Sequence, residues 1–253
     1  MKEVLATVLE NKRIAENIQS LTFSTGEVIP VRAGQFLNIS TGNGVHLLRR
    51  PIAVCKAEGE NITICFQLKG EGTHQLALVP AGAKLSVLLP LGNGFFVEES
   101  EQKVALVAGG VGIFPIISVI REYAPKGKQI HSYIGFRNRS AICCLDQLEK
   151  STALTVTTDD GSYGLHMNAV QAFVADMDRG NVPDVVLSCG PTPMLKALQA
   201  AMQERDIPCY VSLEERMGCG IGACLVCVCN QTNGTHARVC KDGPVFNAKD
   251  VQL

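Results

Sequence analysis

The sequence predicts a chain in three parts: an antiparallel β-barrel over residues 1–99, an α/β domain built on a parallel sheet over 100–211, and a short cysteine-rich segment over 212–253. Up to about Val97, short β-type runs follow one another between turn residues with no helical pattern among them, as in barrels and sandwiches. Beyond the acidic stretch EESEQK, strand-type and helix-type segments alternate, which describes a parallel sheet with helices on its faces. From Ser212 onward the chain is rich in Cys, Gly and Asn and too short for a core of its own, so it needs a non-covalent or metal staple.

The barrel strands are read in EVLATVLE, IQSLTFST, QFLNIST, NITICFQLK and KLSVLLPLG. The α/β part pairs KVALVAGG with IFPIISVIREYA, QIHSYIGF with CCLDQLEK, ALTVTTDD with MNAVQAFVADM, and DVVLSCG with TPMLKALQAAMQERD. A chain of 253 residues is long enough for two ordinary domains, each burying its own core. The net charge of −1 offers no global field to nucleic acid or an anionic membrane. The longest uncharged run, VALVAGGVGIFPIISVI, carries three glycines and a proline and falls short of the ~20 apolar residues of a spanning helix. Met1 to Glu10 lacks a basic start followed by an apolar core, so no secretory signal is expected and the protein reads as soluble and cytoplasmic.

Eleven cysteines is a high count. Cys55, Cys65, Cys143, Cys144 and Cys209 stand among apolar residues, where a cysteine behaves as a small buried hydrophobe. GCGIGACLVCVCN, residues 218 to 230, is different. Cys219-x4-Cys224-x2-Cys227, with Cys240 twelve residues further on, has the first two intervals of a [2Fe–2S] site followed by a later fourth cysteine. Gly218, Gly220 and Gly222 let the backbone curl around a small inorganic core on which soft thiolates converge. A four-cysteine zinc site usually pairs two C-x2-C knuckles, and only one knuckle exists here; disulfides conflict with the compartment. Cys229 is read as a non-ligand.

VALVAGGVGIFPI reads as strand, glycine turn and helix start, with Gly109, Gly110 and Gly112 in the turn, where helix-terminal N–H groups can hold a pyrophosphate. The pattern is a variant of the dinucleotide fingerprint, and a purely structural turn is the competing reading. SCGPTPML again ends a strand in a glycine turn, at Cys189, Gly190 and Pro191, with Pro193 near the helix start. TTDDGSYG puts Asp159 and Asp160 at a third strand end. A carboxylate there would repel a 2′-phosphate and could accept from a ribose hydroxyl, which favours NAD, although aspartates in a turn are also ordinary turn chemistry.

In their order, AGQF, RRPIA, KGEGT, PLGNGF, AGGVGIFP and CGPTPM resemble the ferredoxin–NADP reductase superfamily. With the C-terminal cysteine spacing, the chain is similar to the electron-transfer subunits of the two-subunit, NAD-dependent dihydroorotate dehydrogenases of B type. The resemblance spans essentially the whole sequence and implies an FAD-binding barrel, an NAD-binding Rossmann-like domain and a [2Fe–2S] segment held by Cys219, Cys224, Cys227 and Cys240. It places Arg50 on the flavin phosphates, with Pro51, Ile52 and Ala53 following; a guanidinium fork suits a pyrophosphate. Arg49 could share that role. Ile52 and Ala53 stand where the family carries an aromatic residue and a hydroxyl, so flavin orientation would rest more on backbone groups. Gln67, Leu68 and Lys69 would lead into the pyrophosphate segment, Gly72 and Thr73 would present N–H groups and a hydroxyl to it, and Glu214 matches a carboxylate that precedes the cluster.

The resemblance further implies that dihydroorotate is oxidised on a separate FMN-containing subunit, that electrons reach NAD⁺ through this chain, and that the assembly holds two copies of each subunit. No catalytic acid–base pair is expected, because the chemistry belongs to the cofactors. Related reductase subunits serving a hydrogenase or a ferredoxin–NADP transhydrogenase are the nearest alternatives; the transhydrogenase subunits tend to carry aspartate in place of the first cluster cysteine, against Cys219. A non-catalytic redox-sensing or zinc scaffold is the alternative of another class.

Overall fold

The computed structural model describes residues 1–41 and 47–253. Six strands, β1 (Lys2–Ala15), β2 (Ile18–Ser24), β3 (Phe36–Ile39), β4 (Arg50–Glu58), β5 (Asn61–Gln67) and β6 (Lys84–Leu91), close into an antiparallel barrel in the order β1-β2-β5-β4-β3-β6. Period-2 alternation drives this: along β6, Leu85, Val87, Leu89 and Leu91 turn inward while their neighbours reach the surface. β1 is long because Lys2–Thr7 pairs with β6 and Thr7–Ala15 pairs with β2, with register shifts in the second half. β4 is the strand without a place among the sequence-read runs. Arg50, Pro51, Lys56 and Glu58 mask its pattern, and its first four residues are only half buried: Pro51, Ile52 and Ala53 line a cleft, Ile52 while also packing on the barrel core. Between β5 and β6 lies a short helix, α1 (Glu71–Ala77).

The second half winds as β7 (Lys103–Gly109), α2 (Ile113–Tyr123), β8 (Gln129–Phe136), α3 (Leu145–Glu149), β9 (Ala153–Thr158), β10 (Leu165–His166), α4 (Ala169–Asp178), β11 (Val185–Cys189), α5 (Thr192–Met202) and β12 (Cys209–Ser212). Its sheet runs β10-β9-β8-β7-β11-β12 in parallel. β7 is central, and Val104 to Gly109 are all buried, as a strand covered on both faces requires. The winding reverses between β7 and β11, which opens a crevice at their carboxyl ends.

The C-terminal segment is stitched into both domains. A hairpin of β13 (Val228–Asn230) and β14 (His236–Arg238) is followed by β15 (Val245–Asn247), which adds antiparallel to β12 as the seventh strand of the sheet. Val239, Phe246, Ala248 and Val251 share a core with Val107, Phe173, Leu198 and Val211. On the barrel side, Asn93 donates to the Val245 carbonyl at 2.8 Å and accepts from the Val245 N–H at 3.1 Å. This packing supplies the staple that so short a segment needs. No helix among the described residues is long and apolar enough to cross a membrane.

Far from the crevice, Tyr133 donates to Asp176 at 2.5 Å and stacks on His131, whose Nδ1 lies 3.6 Å from Asp176. The tyrosine hydroxyl holds the Asp176 pKa below its ordinary value, and burial holds His131 below its own, with Asp176 opposing. Both depressed values mean that the unfolded chain binds more protons in acid. Stability therefore falls as pH drops from about 7 through the unfolded histidine value near 6.5, and again through about 4 as the carboxylate titrates. Asp176→Asn is expected to lose about 1.5 kcal/mol at neutral pH and to flatten the loss near pH 4, read from urea unfolding across that range.

Candidate functional site

The crevice continues into the junction with the barrel. A cavity of about 330 Å³ is lined by Pro51, Ile52 and Ala53 of β4, by Cys65 and Gln67 of β5, and by Thr73. A second, of about 530 Å³, is lined by Gly109, Gly110, Gly190, Pro191 and Arg137. Gln67, Lys69, Val111, Phe114 and Glu214 line both, so the two form one cleft, on the scale of a cofactor site.

On the barrel side, β4 is set by pairing with β3: Pro51 opposes Asn38, Ile52 opposes Leu37, and Ala53 opposes Phe36. The Arg50 guanidinium donates to the Leu48 carbonyl and lies over α1, where a Cβ at Gly72 would fall 2.0 Å from its Nε. A larger residue there would push the guanidinium aside. Arg49 is engaged elsewhere, donating to Glu3 at 2.6 Å and Ser86 at 2.8 Å, so of the two arginines Arg50 faces the Gly72 surface. The Thr73 hydroxyl accepts from the Lys69 and Gly70 N–H groups at 3.0 and 3.2 Å and donates to the Gly70 carbonyl. It holds its own turn while the residue lines the smaller cavity. Leu68 fixes the same turn by donating to the Asn17 carbonyl.

On the nucleotide side, the two glycine turns read some eighty residues apart meet. β7 and β11 are adjacent, with Ala108 opposite Cys189, and a Cβ at Gly190 would lie 3.0 Å from the Gly109 N. At Gly112 a Cβ would fall 2.1 Å from the Cys189 carbonyl oxygen, so the helix start is packed on the strand end. Cys189 is buried and lines the smaller cavity, while Gly190 lines the larger. Asp160 accepts from the Ser162 N–H and hydroxyl at 3.0 and 2.6 Å, as turn chemistry predicts. Asp159 follows β9 with its N–H on the Phe136 carbonyl, one strand beyond the cavity wall, which reaches Phe136 and Arg137. Glu214 stands where the cavities join. Water reaches it through the open cleft, yet the surrounding protein raises its pKa, with Lys69 opposing.

Phe114, Val111, Arg137 and Glu215 also line the cleft and were not singled out from the sequence. Arg137 had a signal, since it is the first residue past a parallel strand's carboxyl end. Phe114 lies inside the AGGVGIFP motif itself.

The cysteines group two and two. The Cys219 Sγ accepts from the N–H groups of Ile221, Ala223 and Cys224 at 3.3–3.4 Å, and Cys224 Sγ accepts from the Cys219 N–H. The Cys240 Sγ accepts from Gly222 at 3.1 Å, and Cys227 Sγ from Cys240 at 3.4 Å. The twelve-residue interval is the β13–β14 hairpin, which returns the chain so that the Val239 N–H bonds the Cys227 carbonyl. Leu225 turns the loop between the pairs with φ +58, a strained conformation for its type. Partial burial opposes ionisation of Cys219, but the loop N–H groups outweigh it and bring the thiol down to about 6; burial and the Cys227 thiol push Cys240 up to about 12. Among the described residues, no three His, Cys, Asp or Glu side chains are grouped to hold a single metal ion. Two thiol pairs ringed by N–H donors fit a binuclear cluster, in which each iron takes two thiolates, better than one tetrahedral zinc. Cys229 instead lines the larger cavity.

Residues 214–252 match the family model described as the iron–sulfur cluster binding domain of dihydroorotate dehydrogenase B, and residues 106–200 match the oxidoreductase NAD-binding domain. The chain is 39% identical to the dihydroorotate dehydrogenase B (NAD(+)) electron transfer subunit of Bacillus pumilus, covering 100% of this chain and 99% of that one. It is 40% identical to the subunit of the same name from Caldanaerobacter subterraneus, covering 97% of each. Among solved structures it is similar to a chain of the NADH-dependent reduced ferredoxin–NADP oxidoreductase, with a TM-score of 0.86 and 27% identity over 98% of this chain and 90% of that one.

Proposed function

This chain belongs to the family of dihydroorotate dehydrogenase B electron transfer subunits, and on that premise we propose how its residues serve the role. It is an oxidoreductase subunit that holds FAD, a [2Fe–2S] cluster and NAD and passes electrons from a dihydroorotate-oxidising, FMN-containing subunit to NAD⁺, in the cytoplasm, as an assembly with two copies of each subunit. The observation that carries this is that the segment bearing the thiol pairs also walls both cavities, through Glu214, Glu215, Met217 and Pro244 on one side and Cys229 and Leu253 on the other. Three sites thus adjoin on one chain.

When bound, the flavin exchanges hydride with the nicotinamide and single electrons with the cluster, and the side chains supply none of that chemistry. Arg50 binds the flavin pyrophosphate beside Gly72, while Pro51, Ile52, Ala53, Gln67, Leu68, Lys69 and Thr73 shape the wall. Gly109, Gly110, Gly112, Cys189 and Gly190 admit the dinucleotide at the β7–β11 reversal, and Asp159 takes the ribose end. Phe114 and Val111 supply apolar surface where the cavities meet. Cys219, Cys224, Cys227 and Cys240 are the cluster ligands. Ile221, Leu225 and Val226, exposed at 41%, 62% and 56%, form the apolar face beside the cluster that receives the partner subunit, since a soluble chain leaves such a patch bare for a reason.

Arg50→Ala should weaken flavin binding about tenfold or more, the worth of a charge-assisted hydrogen bond, read from flavin retained after gel filtration. Arg49→Ala should not. Co-expression with a dihydroorotate-oxidising FMN subunit tests the function: the reading expects a complex that reduces NAD⁺ with dihydroorotate, and a pair that neither associates nor couples the two reactions would overturn it.

A further inference from the structure

Asn38 lies in the middle of β3 between two fully buried residues, Leu37 and Ile39, and is itself wholly buried. An apolar side chain would be ordinary there. The amide is only half used: Nδ2 donates to the Cys219 carbonyl at 3.4 Å, while Oδ1 is buried without a partner among the described residues. Such an oxygen has given up water with no return. The reverse orientation of the amide would set Oδ1 against the Cys219 oxygen, so the contact to the loop dictates the one present. From the loop side, Gly220 closes on the same amide with φ +71, and a Cβ there would fall 2.0 Å from Asn38 Nδ2. On its other flank, Asn38 pairs with Pro51 of the cavity wall. Asn38 therefore touches the cluster loop from a strand whose Phe36 lines the same cavity.

We propose that Asn38 is a positioning residue for electron transfer, seating the peptide between Cys219 and Gly220 on the barrel so that the loop is held at fixed reach from the flavin wall. The proposal rests on the reading that the four thiols hold the cluster and the β4 cavity holds the flavin. Fixing that peptide also fixes the direction of the N–H groups of Ile221, Ala223 and Cys224 that point at Cys219 Sγ. Hydrogen bonds to a cluster sulfur raise its reduction potential. A buried polar group retained without full satisfaction is explained if its donor serves the redox site rather than the barrel.

The test uses the holoenzyme with Asn38→Leu and Asn38→Ala. Thermal unfolding, the rate at which NADH reduces the flavin, the potential and electron paramagnetic resonance spectrum of the reduced cluster, and the transfer rate between flavin and cluster are compared with wild type. The expected result for Asn38→Leu is a melting point near wild type, because an unsatisfied oxygen is removed with the donor, and an unchanged NADH step. The cluster potential should fall, its spectrum should shift, and transfer should slow about tenfold or more, as when a group orienting a metal ligand is lost. Asn38→Ala, which adds no bulk, should show the same redox signature and decides the matter if the leucine variant does not fold. Wild-type potential, spectrum and transfer rate in the variants, even with a lowered melting point, would overturn the inference and leave the functional reading standing. A wild-type protein that assembles no cluster would overturn that reading, and the inference with it.

Discussion

Cys227→Ser is expected to lower electron transfer between the partner subunit and the flavin by at least about a hundredfold while the NADH-to-flavin step persists. Serine replaces a soft thiolate with a hard hydroxyl that suits an iron–sulfur centre poorly. Cys227 is buried, leads into the hairpin and is paired with Cys240, so the variant loses one thiolate of that pair. Cluster binding also contributes to folding, and the loop from Gly218 to Val226 should loosen. The rest should hold, because β15 and Asn93 fasten the segment independently of the thiols. Cys229→Ser is the contrast: that residue lines the larger cavity outside both thiol pairs, so the cluster absorption should remain. Iron content and visible spectra of the two variants check the outcome.

Gly112→Ala is expected to cost about 3 kcal/mol or more, lowering the melting point by roughly 10 °C, and to weaken dinucleotide binding more than about tenfold. The new Cβ would lie 2.1 Å from the Cys189 oxygen and 2.4 Å from its carbonyl carbon. These are backbone atoms of a buried strand and cannot step aside as a flexible side chain would. The displacement separates the start of α2 from the end of β11, where Gly109 and Gly190 adjoin. Gly110→Ala, two positions earlier, meets nothing within 4 Å and carries only its φ of +53, so about 1 kcal/mol is expected there. Differential scanning calorimetry with and without NADH separates the two variants.

Legibility in the sequence followed how local each signal is. β7 and β11 were plain because a strand covered on both faces is an unbroken apolar run, and the glycines that follow mark the turn. β4 was hidden because Pro51, Ile52 and Ala53 border a cleft and Arg50 to Ala53 are all half-buried, so no alternation of burial shows there. The cysteine spacing named the chemistry, but the pairing of Cys227 with Cys240 depends on a hairpin whose strands have three residues each, too short for a periodicity. β15 was missed for the same reason. Arg49 and Arg50 are equivalent as letters and part only when Glu3 and Ser86, distant in sequence, take up Arg49. Asn38 gave no sign at all, since its meaning comes from a loop that meets it across 181 positions.

In the proposed function one chain links nicotinamide, flavin and cluster in a single electron path. Anaerobic titration of the purified, cofactor-replete chain with NADH, followed by visible absorption, tests it most directly. The flavin band is expected to bleach together with the broader iron–sulfur absorption. A spectrum without flavin, or flavin and cluster bands that NADH leaves unchanged, would contradict it.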